Sequence, residues 1–285
     1  DISKDGQFTH YLKFDPGFYK EVVANENSEV SLDFCNDLWH SWVENSRVTK
    51  VDHNFIPIEQ KNVLGIYSTI EMNDLGSTVE LEAVNARHNQ VWFCSMEKLL
   101  FQNSIAFWNN GIRFENFKNS VISGDAHTGS RSIKAVGVGN NSNIKLDFIP
   151  EGKYTVRLWA KKDAAPGSGA AKPSCNNVDM IPVSNGIGQW RLFELKVTIT
   201  GSSNTTFSIS IPDNWQIDDI AIAPSEAEMK SYVYDASWDR VVAILDSRHF
   251  ATVYSYDYNH NLSSISMETR DGLQVVKTHY THYKE

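Results

Sequence analysis

Few residues in this chain have the type and spacing to do chemistry. Trp159 alternates away from Val156 and Leu158, so it lies on the face opposite the expected core, together with Arg157 and Lys161. An aromatic on an open sheet face stacks on the apolar side of a sugar ring, and its charged neighbours donate hydrogen bonds to sugar hydroxyls. The competing expectation is that a loop or an adjoining domain covers it, as usually happens to large apolar side chains. His279 and His282 are three apart in an expected strand, point to opposite faces and do not share a metal. There is no G-x-S-x-G, P-loop, H-E-x-x-H or complete EF-hand loop. A glycosidase needs two carboxylates fixed across a cleft, and no such pair stands out among the many acids. The chain is therefore expected not to be an enzyme. Cys35, Cys94 and Cys175 contain no C-x-x-C pair and are expected to be free, buried thiols.

The elements that position these residues read as short strands. Ser132–Val136, then Ile144, Leu146 and Phe148, then Tyr154, Val156 and Leu158, recur with a period of two. Phe193, Leu195, Val197 and Ile199 follow, then Phe207, Ile209 and Ile211, and last Ile217–Ile222. Strands this closely spaced, with turn residues between them, predict an all-β fold in which two sheets pack as a sandwich or jelly roll. The stretch from Lys162 to Asn177, rich in Ala, Gly and Pro, is expected to be a long loop.

Composition excludes several classes of function. At 285 residues the chain has room for two or three small β domains. A net charge of -9 opposes binding to nucleic acid through phosphates and to anionic membranes. No apolar run is long enough to form a transmembrane helix. The opening Asp1-Ile2-Ser3-Lys4-Asp5 is polar and has no initiator Met, and we expect the chain to be a fragment of a longer polypeptide.

In order, residues 1–56 read as the β-rich end of a preceding domain. Residues 57–90 read as a connector, either extended or with a short helix at Leu81–Arg87. Residues 91–224 carry the sandwich. Residues 225–285 form a tail in which Tyr232-Val233-Tyr234-Asp235 is echoed by Tyr254-Ser255-Tyr256-Asp257, with a weaker third copy at Thr278-His279-Tyr280. A period of about twenty residues indicates successive hairpins, and Tyr254, Tyr256 and Tyr258 are expected on one face.

On these motifs the tail resembles the YD repeat of Rhs-type proteins. It departs from that pattern at Trp238-Asp239-Arg240, where a Gly usually precedes the Arg, and at Asn259-His260-Asn261, which has no Arg. The order of Ile58–Ser68, His127–Ile133, Tyr154–Lys161, Ile217–Ile220 and the tail resembles the C-terminal region of very large secreted or surface proteins of Bacteroidota. Within it, residues 91–224 look like a galactose-binding-type jelly roll of the carbohydrate-binding-module kind. The resemblance implies an extracellular or outer-membrane-associated location and a noncatalytic module that binds glycans or mediates adhesion. Its alternative is a structural component that assembles with other envelope proteins and has no glycan ligand.

Modules of the resembled kind commonly hold a structural calcium ion that joins the first strand, a loop and the last strand. Carried onto this sequence, the ligands are Glu97, Asp125 and Thr128 from the Asp125–Gly129 loop, and Asp218 or Asp219. Glu115 rivals Glu97, because Ser95-Met96 stands where the family has Gly-Phe.

Overall fold

A computed structural model describes residues 19–24, 30–34 and 45–278, less 74, 99–105, 110, 118–120, 136–141, 148, 163–170, 186–188, 201–206, 236, 238 and 271. Cys35, His279 and His282 lie outside the described residues. The chain divides into two compact units, residues 1–45 and 46–285. In the first, Tyr19–Ala24 and Val30–Phe34 pair as an antiparallel hairpin.

The second unit is all-β, with three antiparallel sheets. The middle sheet has seven strands, ordered Val121–Ser123, Arg131–Lys134, Trp215–Pro224, Gly152–Lys162, Arg191–Ile199 and Ile181–Pro182, with Trp92–Cys94 also paired to Trp215–Pro224. An outer six-stranded sheet runs Val178–Asp179, Ser174–Cys175, Phe207–Ile211, Ser142–Leu146, Ile112–Glu115 and Ala106–Asn109. These two share one core, in which Tyr154, Val156, Leu158 and Phe193 from the middle sheet meet Phe114, Ile144, Phe207 and Ile209. Leu195 and Val197 pack at its margin. The period of two in these strands thus has the physical cause inferred from it, with one face turned to a partner sheet about 10 Å away. The expected loop from Lys162 to Asn177 carries a short strand at Ser174–Cys175.

A third sheet has nine strands and draws on both ends of the unit. Its order is Gly272–Thr278, Leu262–Thr269, Ala251–Tyr256, Val241–Leu245, Glu228–Tyr234, Val79–Val84, Tyr67–Met72, Pro57–Asn62 and Ser46–Val51. The join is Glu228–Tyr234 beside Val79–Val84, with Met229 opposite Ala83. Residues 81–84, where a helix was one expectation, are therefore strand, and helix propensity yields to tertiary pairing. A 3-10 turn, His88–Gln90, follows. The tail hairpins and the segment expected as a connector form one continuous sheet. Leu81, Ala83, Val233, Ala243 and Leu245 on this sheet pack against Phe93, Ala221 and Ala223 of the middle one. The middle sheet is covered on both faces, so Trp215–Pro224 is buried along nearly its whole length.

Four hairpin turns of the third sheet share one construction. Asp52, Asn62, Asp246 and Asp257 each accept, through Oδ1, the backbone N–H groups two and four residues ahead. The residue three ahead takes a left-handed conformation: Phe55, Gly65, His249 and His260, with φ between 62° and 80°. The Asp of the second Tyr-Asp echo is thus an Asx-turn residue that fixes hairpin geometry. Tyr254 lies in its strand, Tyr256 follows a register shift, and Tyr258 projects from the turn, 81% exposed, so the expected common face of three tyrosines ends at the turn.

Candidate functional site

Glu97, Thr128, Asp218 and Asp219 meet at one place, where the 124–130 loop closes over the middle sheet. A register shift between Arg157 and Trp159 lets the facing strand carry an extra residue, and Asp219 takes φ 45° there. Such a bulge re-aims side chains. Both aspartates are fully buried and Glu97 is nearly so.

Each carboxylate holds part of the loop. Glu97 Oε1 accepts the backbone N–H groups of Ser130 and Arg131, at 2.6 and 2.7 Å, and its Oε2 accepts the Ser130 hydroxyl at 2.8 Å. Gly129, at φ 64°, leaves room for this carboxylate, since a Cβ there would lie 2.4 Å from Glu97 Oε1. Asp218 Oδ2 accepts the His127 amide at 2.8 Å, and its Oδ1 accepts the Asp219 amide at 2.8 Å. Asp219 Oδ2 accepts the Thr128 hydroxyl at 2.7 Å and pairs with His127 Nδ1 at 2.7 Å. Asp219 Oδ1 is buried and has no hydrogen-bond partner.

Asp125 departs from the expected ligand set. Its carboxylate turns to Lys161 and is 48% exposed, and only its backbone carbonyl faces inward, accepting Ser132 Oγ and Gln216 Nε2. The rival Glu115 lies on the outer sheet, paired with Arg113 and Lys145.

Trp159 is fully buried, as the competing expectation of cover by another part of the chain has it, and no open sugar-stacking face is present there. The turn at Asp246–Phe250 covers it. Its indole Nε1 donates to the His249 carbonyl at 3.0 Å, and Phe250 meets its ring edge-on at 6.2 Å. His127 stacks on its other side, with ring centroids 3.8 Å apart and planes 9° from parallel. Arg157 is held by Glu194 and the Ser247 carbonyl, while Lys161 lies over the Trp190 ring. Of the three residues read as a ligand face, Trp159 and Arg157 instead fasten the middle sheet to the hairpin sheet, while Lys161 binds Asp125 and Trp190 within the sandwich.

Three residues of this junction escaped sequence reasoning as members of it. His127 bridges Asp219 and, through Nε2 at 2.9 Å, Glu268 of the hairpin sheet. Burial alone would lower its pKa, but the hydrogen bonds to both carboxylates hold it up at about 9, so the ring is an imidazolium stacked on an indole. His249 hydrogen-bonds to the Asp219 carbonyl, and burial pushes its pKa down to about 4. Glu268 also accepts the Ala251 amide at 2.8 Å.

Four buried carboxylates, Glu97, Asp218, Asp219 and Glu268, thus face one imidazolium. Burial, and then the adjacent Asp219 charge, raise Asp218 well above the usual carboxylate range. Burial likewise raises Glu97, against the pull of the loop amides. A bound cation would favour the ionised forms that burial opposes. In the geometry present, no three His, Cys, Asp or Glu side chains among the described residues form a metal shell. Cys94 and Cys175 are free and buried, and burial pushes the Cys175 thiol up to about 12. Among the described residues no helix is long and apolar enough to cross a membrane. Comparison of the sequence with models of known protein families gives no match, and comparison with curated proteins gives none either.

Proposed function

We propose that this chain is a noncatalytic structural module of a large exported bacterial protein of the YD-repeat kind, in which a carbohydrate-binding-module-like sandwich anchors a sheet of hairpins. The observation that carries this reading is the burial of Trp159 beneath the Asp246–Phe250 turn, with His127 tied to Glu268 across the same junction. A glycan binder of the expected design needs that face open, whereas an assembly component uses it to fix its layers. The partners of such a module are other envelope proteins and the rest of its own polypeptide, at the cell surface.

The loop cluster offers the ligand types that calcium takes. Carboxylate oxygens are the hard ligands calcium prefers. Asp219 Oδ1 is free of other partners, and burial together with the adjacent Asp219 charge opposes ionisation of Asp218, which a bound cation would favour. Glu97, Asp218, Asp219 and Thr128 would hold the ion. Bound there, it would act as a structural counter-charge that ties the first and last strands of the sandwich to the loop.

Two measurements test the reading. Unfolding is followed with and without chelator, alongside the metal content of the purified protein. We expect bound calcium and a midpoint lowered on its removal, and an unmoved midpoint in metal-free protein would remove the ion. Binding is also screened on a glycan array with the wild type and Trp159→Phe. Glycan binding that Trp159→Phe abolishes in a folded protein would overturn the structural reading.

A further inference from the structure

We infer that the nine-stranded sheet is a single up-and-down meander and that the sandwich is a domain inserted into one of its turns. From Ser46–Val51 to Gly272–Thr278 the strands of this sheet lie side by side in chain order. Each pairs antiparallel with the next, as successive hairpins do. Between Val79–Val84 and Glu228–Tyr234 the connection leaves the sheet. There the chain builds the strands of both other sheets of the unit and then returns to the adjacent position.

The spacing of the turns fixes the point of insertion. Besides the four Asx turns, Asn73 and Asp235 open turns of the same sheet, their Oδ1 atoms accepting the Ser77 and Ser237 amides at 2.8 and 2.7 Å. Asp52, Asn62 and Asn73 follow one another at ten and eleven residues, and Asp235, Asp246 and Asp257 at eleven and eleven. Eleven residues beyond Asn73 is Val84, which stands opposite Glu228. In the four Asx turns the opening residue donates its N–H to the carbonyl four residues ahead, as Asp246 does to Phe250 at 2.9 Å. Val84 and Glu228 hold the places of Asp246 and Phe250. From Glu228 to the next opening residue, Asp235, is seven residues, as it is from Ile66 to Asn73 and from Phe250 to Asp257. Residues 85–227 therefore stand where three residues close each of the four Asx turns.

The inserted domain has ends suited to this. Its first and last strands, Trp92–Cys94 and Trp215–Pro224, pair with Trp92 opposite Ile222, so the chain enters and leaves at neighbouring points. Asn85 Nδ2 donates to the Glu226 carbonyl at 3.0 Å and bridges the two crossings. Close ends at a loop tip are what let a host fold accept a whole domain. The sheet is thereby the scaffold, and the sandwich is the part it carries, with Phe93, Ala221 and Ala223 packed on the sheet's inner face. Neither calcium nor glycan binding bears on this connectivity.

A rearranged chain that keeps every segment tests it. Val84→Asn supplies the turn residue, and a copy of Val63-Leu64-Gly65 joins it to Glu228. Residues 85–227 move behind Glu285 on a flexible glycine–serine linker of about 30 residues. The protein should fold, with amide-exchange protection of Val79–Val84 and Glu228–Tyr234 within severalfold of wild type. A folded sandwich beside an unprotected sheet would overturn the inference. A second variant decides the matter if the rearranged chain does not fold. It keeps the natural order and carries about ten glycine and serine residues between Asn85 and Ala86, and as many between Glu226 and Ala227. Lengthening a connection costs little when the pairing on either side is self-sufficient, so protection of the same two strands should again stay within severalfold of wild type. A loss by orders of magnitude would show that the sandwich holds the two halves of the sheet together, and the meander would not be a scaffold in its own right.

Discussion

At the residue scale, the junction depends on side chains that cannot be exchanged for similar ones. Gly129 is the clearest case, because its left-handed φ and the 2.4 Å approach of Glu97 to a Cβ position both exclude any other residue. Gly129→Ala should destabilise the fold by about 1–3 kcal/mol, from backbone strain and displacement of the Glu97 carboxylate. Urea unfolding measures this, and a loss below a few tenths of a kcal/mol would show that the loop shifts freely. The position of Gly129 beside a loop of candidate ligands was legible through family resemblance, and so were Glu97, Thr128, Asp218 and Asp219. Glu268 was not legible. In Leu262–Thr269 the apolar Ile265 and Met267 should face the core by alternation, yet Ser266 and Glu268 are the buried pair and Met267 is 48% exposed. The polar face turns inward because the surface it meets bears an imidazolium, which no period in the strand's own sequence reveals.

At the element scale, the repeating unit of the third sheet is a turn more than a strand. The four Asx turns have the same hydrogen bonds, but their left-handed position is filled by Phe55, Gly65, His249 and His260. Asp or Asn at the first position costs nothing to read from sequence, and Tyr-Asp was recognisable as an echo. Asp52, Asn62 and Asp246 belong to the same set but lack the Tyr, and without that cue residues 57–90 read as a connector and not as strands of the same sheet. Phe55 is the odd member. A bulky L-residue in the left-handed region costs about 1–2 kcal/mol, and its side chain is 84% exposed and offsets little of that. Phe55→Gly should therefore stabilise the protein by about 0.5–1 kcal/mol, with the gain limited by glycine's greater freedom when unfolded. A matching loss on substitution, seen in urea midpoints, would mean that Phe55 packs on something in solution.

For residues 46–285 as a whole, the question is whether three sheets behave as one body. The sequence suggested two consecutive domains, because chain order separates the sandwich from the tail. The structure brings segments from before and after the sandwich into one sheet, and long-range pairing of this kind leaves no trace in local periodicity. Its consequence is mechanical. The middle sheet is the shared partner of both outer ones, and Trp159 is the largest fully buried side chain at the junction with the third. If burial there couples the layers, the unit should unfold in a single transition whose calorimetric and van't Hoff enthalpies agree. Trp159→Ala would lose the stacked His127, the contact with Phe250 and the hydrogen bond to His249, and leave a cavity. A cost of about 3–5 kcal/mol follows for a buried tryptophan, which for a unit of this size lowers the midpoint by roughly 6–20 °C. The loss should also be uneven. Amides in Ala251–Tyr256 and Leu262–Thr269 should exchange faster by local opening, while Tyr154–Leu158, still sealed against the outer sheet, should keep most of their protection. If instead the wild type already melts in two steps, with the hairpin strands exchanging independently of the sandwich, then Trp159 is merely covered and the layers are not coupled.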